Sequence, residues 1–286
     1  MEFVFGIQQL QLGSICKNEN IVQRGLFSLS EAGFQAIELN GFMIRKTPLI
    51  ARTLLKVSGM GIEKSQKLPW EKIIAEAQMK VISIHEDLGT LENDFAKVEE
   101  EITKYAPRYI VVTGMYNFSY DDEGEIGKLI VRLNRAGRNL KAQGISLLYH
   151  NHSAEFQSVD ETTKAFDVLL EGLNPEWVNF EFDSYWATEA GADALAWMKK
   201  LGNRMKLYHV CDRGCRKKGP YITPIVKADA IELGEGSMNL PLLLKQAVAQ
   251  NVDAVILEQH RNYFADDPIA SAKRSAKYIK GIKKAE

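Results

Sequence analysis

Eight short runs rich in valine, isoleucine and leucine recur along this chain, each parted from the next by a stretch long enough for a helix. They are FVFGIQ (3–8), AIEL (36–39), KVISIH (80–85), YIVVTG (109–114), ISLLYH (145–150), VNFEFD (178–183), KLYHV (206–210) and AVILEQ (254–259). A strand that is apolar throughout is buried on both faces, as parallel strands covered by helices are. The intervening stretches supply the covering helices. In IASAKRSAKYIKGIKKA, residues Ile269, Ala272, Ala276, Ile279 and Ile282 fall on one stripe with the lysines opposite. Asn239 followed by Pro241, and Asp267 before Pro268, mark helix starts, while Gly33 and Gly144 mark helix ends. Eight strand–helix units without a linker or low-complexity tract predict an α/β chain folded as a single (β/α)8 TIM barrel. That is one domain over residues 1–286, with its active site at the C-terminal ends of the strands. A doubly wound open sheet would want a Gly-rich phosphate loop after the first strand, and GIQQLQLGSICKNEN is a poor one.

A formal net charge of −1 gives no electrostatic reason to expect nucleic acid as a partner. MEFVFGIQQ starts as a strand, with neither a basic leader nor a long apolar segment, so no secretion or membrane span is expected. Three cysteines, an odd number, suggest a reducing compartment, and the cytoplasm is the expected location. Cys211 and Cys215 lie close together, but CDRGC lacks a second pair and is a weak zinc signal. The stretch 213–236 is too long for a plain connection and is expected to be a functional loop over the barrel mouth. Within it LGEGS (233–237) follows no predicted strand and reads as a lead into the seventh helix.

All five histidines stand where an apolar run turns polar: His85, His150, His152, His209 and His260. Glu86, Glu181, Asp183, Asp212 and Glu258 stand at the same strand ends. On a parallel barrel these ends form one mouth, where enzymes of that fold keep their chemistry. Side chains two residues apart on a strand share a face, so the pairs His150/His152, Glu181/Asp183 and Glu258/His260 can each point inward. A divalent cation needs nitrogen and oxygen ligands converging from several strands, and His150, Asp183, His209 and Glu258 supply one from each of the last four. Taken singly, each could be a core histidine or a carboxylate paired with a nearby cation. As a set they favour an ion, because burying so many ionisable groups without one is heavily penalised. Glu38, His85 and Glu181 are the expected substrate-facing groups. Trp186 is either a wall against the apolar face of a sugar or a core residue.

The motifs ISLLYHNHSAEF, FEFDSYW, LYHVCD, LGEGSMN and VILEQH, with GIQQLQLG and LSEAGFQAIELNGF before them, resemble the xylose-isomerase-like barrel superfamily of sugar phosphate isomerases and epimerases. The resemblance implies a divalent metal, Mn2+ first, with Zn2+, Co2+ or Mg2+ as alternatives, held by Glu, Asp, His and Glu on strands five to eight. Asp183, His209 and Glu258 match the last three positions, and the first falls on His150. In the ketose 3-epimerases of this family the glutamates of strands five and eight are the acid/base pair. Here Glu258 is one such group, and His152 or Glu155 is the other, with Glu155 also the rival strand-five ligand. Arg216 resembles a family arginine that contacts substrate oxygens, and with Arg213, Lys217 and Lys218 it could hold a phosphate.

The leading expectation is a metal-dependent isomerase or epimerase acting on a sugar or sugar phosphate through an enediolate. The alternative is a lyase or dehydratase acting on a keto-sugar, inosose or 3-keto-glycoside, because the YHNH variant is similar to relatives that include keto-sugar lyases. The apurinic endonuclease branch would need a larger three-zinc set and a basic DNA face, against the balanced charge. A non-catalytic sugar-binding barrel would not need the intact Asp183, His209 and Glu258 set. The expected partner is a small-molecule sugar or polyol, with no nucleic acid or membrane, and a homo-oligomer is left open.

Overall fold

The computed structural model describes residues 2–45, 65–216, 223 and 225–285. In it the eight apolar runs close into a parallel barrel. The barrel strands are β1 (Val4–Gln8), β2 (Ala36–Asn40), β3 (Lys80–Glu86), β4 (Tyr109–Thr113), β5 (Ser146–His150), β6 (Val178–Asp183), β7 (Met205–Val210) and β10 (Ala254–Leu257). Neighbours follow chain order, and β10 closes the ring between β7 and β1, with Ala254 opposite both Leu207 and Val4. Seven predicted strands agree with the observed ones to within a residue at either end. The eighth stops at Leu257, leaving Glu258 and Gln259 just beyond it.

Alternation along the strands divides the apolar side chains into two sets. Tyr109, Val111, Leu148, Leu207, Ala254 and Ile256 pack together inside the barrel. Their neighbours, such as Ile110, Tyr149 and Tyr208, join the larger core between barrel and helices. The last helix, Pro268–Ala285, buries Ala272, Ala276 and Ile279 on the predicted stripe. Asn239 caps the helix Leu240–Ala249 by accepting from the Leu242 N–H, and Gly33 ends the first helix in the left-handed region at φ 109°.

Two register slips shape the mouth. The pairing of β2 with β3 skips Ile82, and that of β6 with β7 skips Lys206. A slip of one residue exchanges the faces of every side chain beyond it. Beyond these points Glu38 stands opposite Ser83, and Asp183 opposite His209.

The long segment after β7 contains an antiparallel ribbon, β8 (Asp212–Gly214) with β9 (Asp229–Ile231). LGEGS therefore does follow a strand, separated from β9 by Glu232 alone, which corrects the sequence expectation. Among the described residues no helix is long and apolar enough to cross a membrane.

Candidate metal centre at the barrel mouth

The five histidines gather at the C-terminal end of the barrel. Ring centroids of His150 lie 5.4 Å from His85, 5.0 Å from His152 and 4.7 Å from His209. His260 reaches the group across Trp186, whose ring lies 5.5 Å from His152 and 6.2 Å from His260.

His150, Asp183, His209 and Glu258 each offer a ligand atom, and these atoms lie within 4.8 Å of one another. All four side chains are buried. His209 Nδ1 is 2.8 Å from Glu258 Oε2 and 3.9 Å from Asp183 Oδ2. Bonds of about 2.0–2.2 Å to a shared ion would set adjacent ligand atoms about 3–3.5 Å apart, so these spacings suit one coordination sphere. Among the described residues no lysine or arginine pairs with Glu38, Glu181, Asp183 or Glu258. Burial, and then the neighbouring Glu258 charge, push the Asp183 carboxyl well above its ordinary range. Two buried carboxylates in mutual repulsion beside two imidazoles form a donor set that a divalent cation satisfies. The residues fit such an ion.

A second group lies deeper. Glu38 and Glu181, both fully buried, face three imidazoles. Glu181 Oε2 is 2.9 Å from His85 Nε2, 3.0 Å from His150 Nδ1 and 3.2 Å from His209 Nε2. Glu38 Oε1 is 2.8 Å from both His85 Nε2 and His209 Nε2, and Glu38 Oε2 accepts from the Ser83 hydroxyl. Against the opposing effect of burial, Glu38 and Glu181 raise His85 to about 10. The same two carboxylates with Glu258 hold His209 well above its ordinary value, again against burial. Glu38, His85 and Glu181 were expected to face substrate; the structure turns their polar atoms toward one another and toward His150 and His209.

The remaining expected residues have distinct places. Glu155 sits in a short turn after β5 and is fully buried. Its Oε1 accepts from the Tyr149 hydroxyl at 2.8 Å and its Oε2 from the His152 N–H at 2.9 Å. Tyr149 points outward from β5 while His150 points inward, so the Glu155 carboxylate lies behind the strand and belongs to neither ligand group. His152 packs against His150 and Trp186, and burial followed by the His150 charge lowers it to about 3. The Trp186 indole Nε1–H is buried without a partner among the described residues.

Arg216 pairs with the fully buried Glu232 and with the Asn262 carbonyl, and lies 3.3 Å from Glu235. These contacts bind the loop after β7 to the segment after β10. Arg213 pairs with Glu189, while Lys217 and Lys218 lie outside the described residues. Asp212 is structural: its carboxylate accepts from the N–H groups of Arg213, Gly234, Gly236 and Met238.

One residue escaped the sequence reading. Asn151, between the two histidines of YHNH, donates to the Asp183 carbonyl at 3.1 Å and accepts from the Asp183 N–H at 3.0 Å. It clamps the backbone of Asp183, a candidate ligand at the end of β6, to the chain just beyond β5. Its position inside a strand-end motif was the only available signal.

A family model described as the xylose isomerase-like TIM barrel matches residues 92–282, more than half of the chain. The chain belongs to this family. It is 28% identical over 167 residues to an inosose dehydratase of Clostridium perfringens, a match that covers 56% of the chain and 55% of that protein. The chain thus spans about half the length of that relative. An inosose dehydratase of Clostridium tetani is 22% identical over 285 residues, covering 91% of the chain and 89% of that protein. Among solved structures, a sugar phosphate isomerase/epimerase from Parabacteroides distasonis superposes with a TM-score of 0.76 at 21% identity, covering 98% of this chain and 94% of its own. The IOLI protein, solved with a bound zinc atom, superposes with a TM-score of 0.68 at 14% identity over 98% of both chains. These superpositions show the fold.

Proposed function

We propose that this chain, acting as one barrel domain over residues 1–286, is a divalent-metal-dependent lyase or dehydratase of a keto-sugar or keto-polyol. The observation that carries this reading is the position of Glu155. Exchanging a proton between two carbons or two faces of a sugar calls for two acid/base groups at carbon, and in the related epimerases both are glutamates. Here strand five offers His150, and Glu155, the glutamate that follows it in the chain, is held behind the strand by Tyr149 and the His152 amide. That leaves Glu258 as the carboxylate acid/base, with an imidazole as its partner. The inosose dehydratases among the relatives support the same choice.

His150, Asp183, His209 and Glu258 would hold the ion, and two imidazoles with two carboxylates suit manganese, cobalt or zinc better than magnesium. A bound divalent ion would polarise the substrate carbonyl and stabilise the enediolate charge. Glu258 Oε2 faces His209, whereas Oε1 turns toward His260 at 3.5 Å, so Oε1 is the oxygen placed to take the proton next to the carbonyl. His152, neutral at physiological pH, offers its N–H to the departing oxygen. Trp186, flanked by His152 and His260, walls the site and offers its free indole N–H to a substrate oxygen. The carbon–hydrogen electrons become the new double bond, the carbon–oxygen bond breaks, and the leaving oxygen departs as water or an alcohol carrying the proton that Glu258 Oε1 took, with the His152 N–H hydrogen-bonded to it.

The test is a panel of ketoses, inososes and 3-keto-glycosides incubated with manganese- or zinc-loaded protein in deuterated water. Loss of water or of an aglycone supports the proposal. Recovered, isomerised sugar carrying solvent deuterium at carbon, with nothing eliminated, would overturn it in favour of isomerase or epimerase chemistry.

A further inference from the structure

We infer that Glu155 is a positioning residue: through the His152 backbone N–H it holds the chain after β5, and so sets where the His152 imidazole stands. The inference deepens the proposed reaction and rests on its assignment of His152. That residue lies two positions beyond the end of β5, past the last ladder bond. Its own hydrogen bonds are few. The N–H donates to Glu155 Oε2 at 2.9 Å, and the carbonyl accepts from Asn151 Nδ2 across 3.5 Å. Among the described residues no hydrogen bond reaches the ring, which is placed by its packing against His150 and Trp186 and by the backbone beneath it. A peptide unit is planar, so pinning its N–H fixes the plane and with it φ of His152, the angle that aims the Cα–Cβ bond.

The carboxylate that does the pinning is itself held from the neighbouring strand. Glu155 Oε1 accepts from the Tyr149 hydroxyl, which lies 2.8 Å from the Tyr120 hydroxyl, and that oxygen accepts from the Met115 N–H at 2.8 Å. Tyr120, Tyr149 and Glu155 are all buried. The chain of bonds therefore runs from the backbone just after β4 to the backbone just after β5, and it ends on His152. Gly114 keeps the passage open: a Cβ there would stand 2.4 Å from Glu155 Oε1 and 3.2 Å from the Tyr120 hydroxyl. An apolar side chain would fill the same volume without the cost of burying a carboxylate. What the carboxylate alone supplies is a pair of acceptor oxygens, one for the Tyr149 hydroxyl and one for the His152 N–H.

The experiment compares the zinc-loaded full chain with Tyr149→Phe, Gly114→Ala, Glu155→Gln and Glu155→Ala, none of which removes a group facing the proposed ion. NMR follows the His152 amide and the labelled histidine rings, elemental analysis follows zinc, and initial rates are taken on the panel of ketoses, inososes and 3-keto-glycosides. In the wild type the His152 N–H should be protected from exchange. Tyr149→Phe and Gly114→Ala should shift the His152 amide and ring signals and leave zinc content unchanged. Turnover should fall by about 10–100-fold with KM within about twofold, since a misplacement near 1 Å costs about that much. Glu155→Gln keeps one acceptor oxygen and should lose less turnover than Glu155→Ala. An unprotected His152 N–H in the wild type overturns the inference, and so do unmoved His152 signals, or a lowered Tm with unchanged turnover, in Tyr149→Phe and Gly114→Ala. A wild-type chain that eliminates nothing from the panel overturns the lyase reading instead, and the spectra still decide whether Glu155 anchors His152. Because protection is read in the wild type, a variant that fails to fold cannot hide the answer.

Discussion

Replacing Asp183 by asparagine should reverse its effect on stability according to whether a metal is present. Without an ion, Asp183 and Glu258 are buried carboxylates side by side, and burial together with the Glu258 charge disfavours ionised Asp183. Asparagine keeps the volume and the Oδ1 acceptor for the Trp186 backbone N–H at 2.9 Å while removing the charge. An uncompensated buried charge destabilises by about 3–5 kcal/mol, and protonation together with His209 relieves much of that, so a gain of about 1–2 kcal/mol is expected in chelator. With an ion at 100 times its dissociation constant, the wild type gains about 2.7 kcal/mol that the variant, short of a ligand, largely forgoes. At about 2.1 cal/mol/K per residue this chain unfolds with roughly 0.6 kcal/mol/K, so each kcal/mol moves Tm by about 2 °C. In EDTA the variant should therefore melt about 2–4 °C above the wild type. Saturating manganese or zinc should raise the wild type by about 5 °C and the variant by about 1 °C or less. Calorimetry with parallel elemental analysis measures both. A wild-type Tm indifferent to every divalent ion tried, or an equal rise in Asp183→Asn, would refute the reasoning.

His152→Ala should retain its metal while turnover falls by about two to three orders of magnitude, the usual loss of a hydrogen-bond donor to developing charge on oxygen; a loss of metal would make His152 a ligand. Glu155→Gln should also keep the ion and lose about 1–3 kcal/mol of stability through its contacts with Tyr149 and the His152 amide; an emptied site would return Glu155 to the ligand set. Arg216→Ala should leave metal content unchanged and destabilise the chain by about 1–3 kcal/mol by stripping buried Glu232 of its cation, and limited proteolysis between β8 and β9 should speed up; unaltered cleavage would count against the anchoring role. Of the three thiols, Cys215 is exposed and should react quickly in the native protein, while Cys16 and Cys211 wait for unfolding. Burial pushes the Cys16 thiol up to about 12, and two fast-reacting thiols would contradict this packing.

The barrel was legible because burial on both faces leaves a strand no polar residue until it emerges. VNFEFD is the instructive case: it is the observed β6 residue for residue, although it contains a glutamate at its centre, because that glutamate faces imidazoles in the interior. At AVILEQ the reading ran past the ladder, yet the Glu258 N–H still bonds the Val210 carbonyl, so the chain keeps its course where the strand pairing ends. The β8–β9 ribbon left no such trace. Its strands are three residues long and partly charged, and what gathers the loop is the Asp212 carboxylate on the backbone of residues 234–238. Bonds from side chain to backbone have no periodicity to read.

The site was legible in direction and illegible in depth. Alternation turns Glu181 and Asp183 to the same side of β6, but two residues along a strand are about 6.6 Å, the difference between a group beneath His150 and His209 and one beside the proposed ion. The slips at Ile82 and Lys206, which bring Ser83 to Glu38 and His209 to Asp183, carry no mark in the residues themselves. Glu155 did leave a trace: a side chain on Gly114, at the end of YIVVTG, would put its Cβ 2.4 Å from Glu155 Oε1, so that glycine makes room for the carboxylate behind β5. What separates the carboxylates at these strand ends is how fully the chain uses their oxygens. Asp212 accepts four backbone N–H groups and has no direction left for an ion. Asp183 accepts the Trp186 backbone N–H through Oδ1, and its Oδ2 faces His209 across 3.9 Å, too far for a hydrogen bond and suited to an ion between them. Lone pairs left unspent in a buried, converging set are what distinguish a ligand from a strut, and they can be counted only once the backbone is in place.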